Sequence, residues 1–252
     1  MSILAVENLE KSYSGFQAVK GVTFSLQAGE MLALIGPNGA GKSTCFNMIN
    51  GQLEPSGGRI RIFDRDVTGM AARDIWRLGV GRTFQIAATF GSMTVAENVQ
   101  AALSSHRGRW VACRWAARYY RQEANDLLTL VGMADQAARS CGELAYGDVK
   151  RLELAIALAN DPKLLLMDEP AAGMAPSERA ALMDLVTRIA RERMIGVLFT
   201  EHDMDAVFGH ADRVLVLNRG NLIAEGSPAQ VRADAEVQAV YLGAGSLFGA
   251  SH

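Results

Sequence analysis

The residues best suited to chemistry in this sequence are a lysine and two hydroxyl side chains that end a glycine-rich segment. Residues 36–44, GPNGAGKST, fit the spacing G-x-x-x-x-G-K-[ST] that is typical of phosphate-binding loops. Backbone N–H groups of such a loop surround a phosphate, and a helix that starts near Lys42 adds the positive end of its dipole. Lys42 can then reach the β- and γ-phosphates, and Ser43 can ligate Mg²⁺. A glycine-rich turn that only caps a helix is the alternative; we predict a nucleoside triphosphate site.

Two acidic residues follow a second apolar segment. Residues 164–167, LLLM, form a continuous apolar run that ends in Asp168 and Glu169. A carboxylate at the end of a buried strand is costly unless it meets a cation. We therefore predict that Asp168 holds Mg²⁺, mostly through water, and that Glu169 orients or polarises an attacking water. Two ordinary surface acids at a strand end are the alternative.

Three further polar or aromatic residues are candidates because of their positions. His202 follows the apolar run 195–200, and Gln85 ends a short predicted strand. Ligands of α/β proteins bind at the carboxyl ends of strands, although a lone histidine is more often structural and a glutamine is usually a polar surface residue. Tyr13 is either a base-stacking residue at the rim of an adenine pocket or a surface tyrosine.

The elements that must position these residues alternate along the chain. Alternating or continuous apolar runs predict strands at 3–9, 22–28, 31–35, 59–63, 164–167 and 195–200, and a hairpin at 214–217 and 222–225. A turn-rich link is expected between the first two strands. Helices are predicted at 42–50, 71–78, most of 97–139, 149–159, 176–193 and 227–243. Residues 245–252 are expected to be disordered.

Composition narrows the class of protein. The chain has 252 residues, of which 49% are hydrophobic, and can bury a substantial core. Its net charge of −2 gives no electrostatic support to a general role in nucleic-acid binding. Three cysteines at unrelated spacings predict a reducing cytosol and no zinc site. Without an N-terminal leader or a run of 18 apolar residues, we expect neither secretion nor a membrane span.

One basic segment has no assigned role. Residues 106–122 contain five arginines and no acid, interleaved with two tryptophans and two tyrosines. Such a segment could face nucleic acid, lipid headgroups or a partner protein. A solvated helix face with its aromatic side chains packed inward is the alternative.

In combination, these residues resemble the ATP-binding cassette (ABC) family. Residues 36–44 resemble its phosphate loop, Gln85 its Q-loop glutamine, 164–170 its Mg²⁺ strand with the catalytic glutamate, and His202 its switch histidine. Residues 144–148, LAYGD, lie where the family signature, usually LSGGQ, is expected.

The resemblance implies a role for each residue. It implies that Glu169, His202 and Gln85 are catalytic and that Ser43, Gln85 and Asp168 hold Mg²⁺. The residues implied to bind ATP are Tyr13, Gly36, Pro37, Asn38, Gly39, Ala40, Gly41, Lys42, Ser43, Thr44, Leu144, Ala145, Tyr146, Gly147 and Asp148.

The implied fold is of the α/β class. It is a RecA-like P-loop NTPase core with an antiparallel β subdomain and an inserted α-helical subdomain, in a single ABC ATPase domain of residues 1–252. The β subdomain and the core would take 1–90 and 148–225, and the helical subdomain 91–147, with the signature at its end. Residues 226–252 would form a C-terminal helical tail.

A narrower resemblance is to the ATPase subunits of branched-chain amino acid importers. It rests on GRTFQ at 81–85, the AYGD form of the signature, EPAAGM at 169–174 and YLG at 241–243. The long arginine-rich insert is typical of the larger of the two ATPase subunits. ATPases for urea import and lipopolysaccharide export are similar too. Non-transport ABC ATPases of repair or translation usually carry zinc modules, coiled coils or a second cassette, which this sequence lacks.

The resemblance also implies partners. Two ATPase chains, identical or different, would bind ATP and Mg²⁺ between the phosphate loop of one and the signature of the other. Integral membrane permease subunits would couple through the cleft between Gln85 and the helical insert, and a periplasmic or extracytoplasmic solute-binding protein would act indirectly. The chain would lie peripherally at the cytoplasmic face of the inner membrane and bind no nucleic acid.

Three residues depart from the family pattern. Ala145 and Asp148 replace the usual serine and glutamine of the signature, and Ala175 replaces the aspartate that many relatives have after the catalytic glutamate. We expect Asp148 to point away from the phosphates, because its carboxylate would repel them, and to cap the N–H groups of the helix predicted from residue 149.

Overall fold

The computed structural model describes residues 2–83, 89–107 and 120–242. Its strands are β1 (Ser2–Tyr13), β2 (Phe16–Gln27), β3 (Met31–Ile35), β4 (Gly57–Ile62), β5 (Arg65–Asp66), β6 (Val80–Thr83), β7 (Leu164–Asp168), β8 (Gly196–Thr200), β9 (Arg213–Asn218) and β10 (Asn221–Gly226). Its helices are α1 (Lys42–Ile49), α2 (Ala72–Arg77), α3 (Val95–His106), α4 (Arg121–Leu130), α5 (Tyr146–Leu158), α6 (Pro176–Arg193), α7 (Met204–His210), α8 (Pro228–Ala233) and α9 (Ala235–Leu242).

A six-stranded sheet carries the predicted site residues. Its strand order is β10-β9-β3-β8-β7-β6, and every pair is parallel except the β9–β10 hairpin. In the register of the sheet, Thr200 at the end of β8 lies beside Leu34 of β3 on one side and Asp168 of β7 on the other. The carboxyl ends of these three strands therefore meet at one edge, although they are far apart in sequence.

Both faces of this sheet are covered, which explains why the central strands β3, β7 and β8 consist mostly of apolar residues. Leu32 and Leu34 pack into a core shared with α1 and the other sheet. Met31, Ala33 and Ile35 pack on the opposite face into a core shared with α3, α4, α5 and α6. Because alternate side chains of β3 enter different cores, its position between them is fixed.

The second sheet is antiparallel, with strand order β2-β1-β4-β5. The prediction of a turn-rich link between the first two strands was wrong. β1 and β2 instead pair along most of their length, and only Ser14 and Gly15 turn, with φ of 44° and 92°. Two residues with positive φ match the twist of a hairpin, so the polar residues around them join the ladder. Tyr13 pairs with Phe16 beside the turn.

The region between β6 and β7 contains α3 and α4, followed by two 3-10 turns, Ala134–Gln136 and Cys141–Glu143. The helical prediction for 97–139 therefore holds only in part of the described residues. Helix α4 ends at Leu130, and Gly132 then adopts a φ of 73° that interrupts a helix. Helix α5 begins at Tyr146 rather than Val149, because Ala145 is extended and serves as its N-cap.

Other elements follow the predictions closely. Helix α6 has the predicted limits, with Pro176 in its first turn. Helix α7 was not predicted, and the Asp203 side chain caps it by accepting from the Ala206 N–H at 2.9 Å. The predicted helical tail is two helices, α8 and α9.

Three of the predicted features lie outside the described residues. They are Gln85, residues 108–119 of the basic segment and residues 245–252.

The two sheets and the helices between β6 and β7 agree with the predicted α/β fold class. Within the part of the chain that the structure describes, none of the helices combines the length and the apolar character needed to cross a membrane.

Candidate functional site

The predicted phosphate loop connects β3 to α1, and close backbone contacts require two of its glycines. Gly41 has a φ of 104°, and a Cβ there would lie 2.6 Å from the Ala18 carbonyl oxygen. Gly36 has a φ of 154°, and a Cβ there would lie 2.2 Å from the Leu217 carbonyl oxygen. Side chains are therefore excluded at both positions. The first turn of α1 contains no acidic residue, so its positive end is available to an anion.

Lys42 is folded back onto its own loop. Its Nζ donates to the carbonyl oxygens of Gly36 at 2.6 Å and Pro37 at 3.1 Å, and the residue is 8% exposed. Burial lowers the pKa of Lys42, whereas the nearby carboxylates of Glu169 and Asp168 act to raise it. An anion with several negative oxygens in front of the loop would offer the ammonium better partners than two carbonyls.

The adjoining strand ends bring Asp168, Glu169 and His202 together. Asp168 Oδ1 accepts from the Thr200 hydroxyl at 2.7 Å, and the Glu169 N–H donates to the same hydroxyl oxygen at 3.0 Å. The Oε1 of Glu169 lies 2.8 Å from His202 Nε2. Glu169 also has a φ of 50°, a conformation that non-glycine residues adopt where surrounding contacts impose it. The arrangement places a carboxylate–imidazole pair beside the loop.

A cleft of about 370 Å³ lies in front of the loop. It is lined by Tyr13, Phe16, Ala18, Asn38, Gly39, Ala40, Gly41, Lys42, Ser43, Thr44, Glu169 and His202. Tyr13 and Phe16 are exposed to 45% and 67%, so apolar ring faces border the cleft where a base can stack. Phe16 was not predicted from the sequence, because its place beside Tyr13 follows from the pairing of the two residues next to the hairpin turn.

The signature residues 144–148 are not among the residues that line this cleft. The Tyr146 hydroxyl donates to the Ala172 carbonyl oxygen at 3.0 Å. The Asp148 carboxylate accepts from the Gln136 side chain at 3.1 Å rather than capping the helix, so the capping prediction was wrong. It was wrong because Asp148 already lies inside the first turn of α5.

The structure also reveals residues near the site that the sequence analysis did not select. Thr200 and Glu201 precede His202, and both are buried, at 1% and 4% exposure. Arg82 lies close enough to Asp168 for that carboxylate to raise its pKa, although burial lowers the pKa more. Their signal was position alone, since each stands at or near the carboxyl end of a strand.

The chemistry of the donor set fits Mg²⁺ only with help from a bound phosphate. Within the described ranges, no cluster of three or more His, Cys, Asp or Glu side chains could hold a metal. Mg²⁺ commonly takes one or two protein oxygens and fills its octahedron with water and phosphate oxygens. The Ser43 hydroxyl and the Asp168 carboxylate are oxygens of this kind.

The C-terminal helix α9 also contacts the loop. Tyr241 is 3% exposed, and burial raises the pKa of its hydroxyl, while a hydrogen bond with the Gly36 backbone lowers it. The last described helix therefore packs against the start of the phosphate loop.

Comparisons with known proteins agree with this geometry. The family model described as ABC transporter matches residues 19–172, and that described as Branched-chain amino acid ATP-binding cassette transporter matches residues 221–246. The high-affinity branched-chain amino acid transport ATP-binding protein LivG of Salmonella typhimurium is 38% identical over 249 residues, which cover 96% of this chain and 98% of LivG. The lipopolysaccharide export system ATP-binding protein LptB of Haemophilus influenzae is 34% identical over 243 residues, again 96% and 98% of the two chains.

A solved structure gives the same result at the level of the fold. The ADP conformation of an ATP-binding cassette from an ABC transporter superimposes with a TM-score of 0.85 at 31% identity, over 96% of this chain and 99% of that one. The RecA-like P-loop NTPase fold and the nucleotide-binding character of the chain follow from these similarities. The chain therefore belongs to the ATP-binding cassette transporter family, as one of its ATP-hydrolysing subunits.

Proposed function

We propose that this chain hydrolyses ATP in the cleft beside residues 36–44 to drive an importer for branched-chain amino acids. The observation that carries the proposal is the convergence of the loop, Asp168 and the Glu169–His202 pair at one edge of the parallel sheet. The solute class is supported by LivG and by the C-terminal match at residues 221–246.

In this proposal the triphosphate lies along the loop and α1, with its base toward Tyr13 and Phe16. Lys42 leaves the Gly36 and Pro37 carbonyls and binds the β- and γ-phosphates. The contact of Lys42 with its own loop keeps the side chain within reach of that position.

Mg²⁺, when bound, would neutralise charge on the phosphates. Ser43 and Asp168 would hold it, with Gln85 as the third predicted ligand. The hydrogen bond from Thr200 orients the Asp168 carboxylate, as expected for a group that supports a metal ligand.

Glu169 would orient and polarise the attacking water, and His202 would hold Glu169 and sense the γ-phosphate. The 2.8 Å contact between the two side chains and their position in the cleft support these roles.

The signature would act in a second ATPase chain. Because residues 144–148 do not line the cleft of their own chain, a head-to-tail pair can place them over the partner's ATP. Permease subunits in the membrane and an extracytoplasmic binding protein complete the proposed system, with this chain at the cytoplasmic face of the inner membrane.

The nucleotide site is tested by Lys42→Ala. We expect the affinity for Mg²⁺-ATP to fall by about 100-fold or more, because each charge-assisted hydrogen bond lost contributes about 1.5–3 kcal/mol. Isothermal titration calorimetry measures the change, with Lys163→Ala as the control, since the exposed Lys163 lies at the amino end of β7. Equal affinity in wild type and Lys42→Ala would contradict the assignment of the loop.

The solute is tested by uptake. Cells in which the gene carries Lys42→Ala should lose energised uptake of labelled leucine, isoleucine and valine but keep urea uptake and lipopolysaccharide export. Export of lipopolysaccharide is the second candidate, favoured by the similarity to LptB. Normal leucine uptake together with failed export would replace the first candidate by the second.

A further inference from the structure

Glu201 is a buried carboxylate between the two loops that carry the Glu169–His202 pair. It is 4% exposed. Its Oε1 accepts from the Ala171 N–H at 2.9 Å, and its Oε2 accepts from the His202 N–H at 3.3 Å. Ala171 lies two residues after Glu169. One side chain therefore joins the backbone that follows Glu169 to the backbone of His202.

The ionised form of Glu201 is disfavoured in the folded protein. Burial raises its pKa, and the hydrogen bonds from Ala171 and His202 and the positive charge of Arg179 only partly offset this. The folded structure therefore favours the neutral carboxyl over the ionised form at this position. A buried carboxyl that contacts the backbone of both loops of the site can fix the position of one loop relative to the other.

The turn at residues 171–174 is held from its other side as well. The Tyr146 hydroxyl donates to the Ala172 carbonyl oxygen at 3.0 Å, and the Arg179 guanidinium donates to the Met174 carbonyl oxygen at 3.2 Å. Tyr146 belongs to the signature. The turn therefore contacts the signature on one side and Glu201 on the other.

We propose that Glu201 is a positioning residue, which holds the 171–174 turn against the loop of His202 and so sets the separation of Glu169 and His202. The inference rests on the proposed function, because the distance matters only if these two side chains act on ATP. Displacements of about 1 Å at such a pair are enough to reduce turnover by about 100-fold.

Two substitutions remove the hydrogen bonds of Glu201 to different extents. Glu201→Gln keeps one acceptor oxygen but turns an N–H₂ group toward the other N–H donor, and Glu201→Ala removes both acceptors. Glu30→Gln is the matched control. The Glu30 carboxylate also accepts from a backbone N–H, of Gln27 at 2.7 Å, and from Arg213 at 2.8 Å. It precedes β3, at the opposite end of that strand from the phosphate loop.

Steady-state ATP hydrolysis by the chain assembled with its second ATPase subunit measures the effect. We expect kcat to fall by about tenfold in Glu201→Gln and further in Glu201→Ala, with KM and nucleotide affinity within about twofold, as for loss of an arrangement needed only in the transition state. The control should keep kcat within about twofold. Amide hydrogen exchange of Ala171 should be faster in Glu201→Ala than in wild type, because its acceptor is gone.

Other outcomes would overturn the inference. Unchanged kcat in both Glu201 variants, or an equal loss in Glu30→Gln, would leave Glu201 without a positioning role. If kcat, nucleotide affinity and melting temperature all fell together in the Glu201 variants, Glu201 would be a packing residue and not a positioning residue. An assembled wild-type complex that hydrolyses no ATP would contradict the proposed function and this inference together, whereas an active wild-type complex with equally active variants would contradict this inference alone.

Discussion

Glu201 has a pKa that burial raises above its ordinary 4.5. A group with a raised pKa in the folded state stabilises the fold below its unfolded pKa, and that contribution is lost as the pH rises through the folded pKa. The wild type should therefore lose stability relative to Glu201→Gln as the pH rises from 4.5 towards 8. Because Glu201→Gln also turns an N–H₂ group toward a backbone N–H donor, the prediction concerns only the change with pH. The melting temperature of the variant minus that of the wild type should increase from pH 5 to pH 8.

Thermal unfolding followed by circular dichroism from pH 5 to pH 8 measures this difference. All other titrating groups are common to both proteins, so the pH dependence of the gap reports Glu201. A shift of this difference in favour of the wild type as the pH rises would show that the folded protein favours the ionised carboxylate, contrary to the prediction.

At the scale of elements, the residues that pack around the start of α5 determine which side chains fit at position 147 of the signature. A Cβ added to Gly147 would lie 3.6 Å from Met174 Cε and 3.7 Å from the Glu178 carboxyl group, which are ordinary contact distances. An alanine therefore fits. An aspartate would place a second carboxylate beside Glu178 and, in the proposed pair, opposite the partner's γ-phosphate.

We predict that Gly147→Asp lowers ATP hydrolysis by the assembled complex by at least about tenfold, and that Gly147→Ala and the isosteric Gly147→Asn lower it by less than about threefold. Ala145→Ser should change the rate little, because backbone N–H groups and the α5 terminus already face the partner's phosphate in the proposed pair. Hydrolysis rates of the four variant complexes, compared with the wild-type rate, show whether charge or bulk at position 147 causes the loss. Equal losses in the Asp and Asn variants would assign the effect to bulk.

At the scale of the whole molecule, the chain has half of each proposed ATP site. Glu169→Gln should retain ATP binding and lose most turnover, because an amide holds water without accepting its proton. ATP should then trap a closed pair, seen in light scattering as an increase from 27.1 kDa towards twice that mass. Adding Lys42→Ala to the same variant should abolish the increase. If Glu169→Gln bound ATP but its mass stayed constant, both by itself and with the second ATPase subunit added, the head-to-tail arrangement would be contradicted.

Several features were predictable because their causes are local. The phosphate loop follows from glycines that alone tolerate the backbone at Gly36 and Gly41. The parallel strands follow from apolar runs that only a sheet covered on both faces buries. The length of the β1–β2 hairpin was underestimated because the strand ends next to its turn are polar and show little hydrophobic alternation. Cross-strand pairs such as Tyr13 and Phe16 stabilise these ends.

The sequence by itself thus determined the type of nucleotide site and the strands that build it, since spacing and apolar periodicity act within a few residues. Only the tertiary structure decided which side chains surround Asp168 and Glu169. The strand order β3-β8-β7 makes neighbours of segments that are 30 or more residues apart in the chain. Thr200 reaches Asp168, and Glu201 reaches Ala171, because parallel strands in register end at one edge. Such contacts depend on the packing of the whole sheet and leave no pattern in the local sequence.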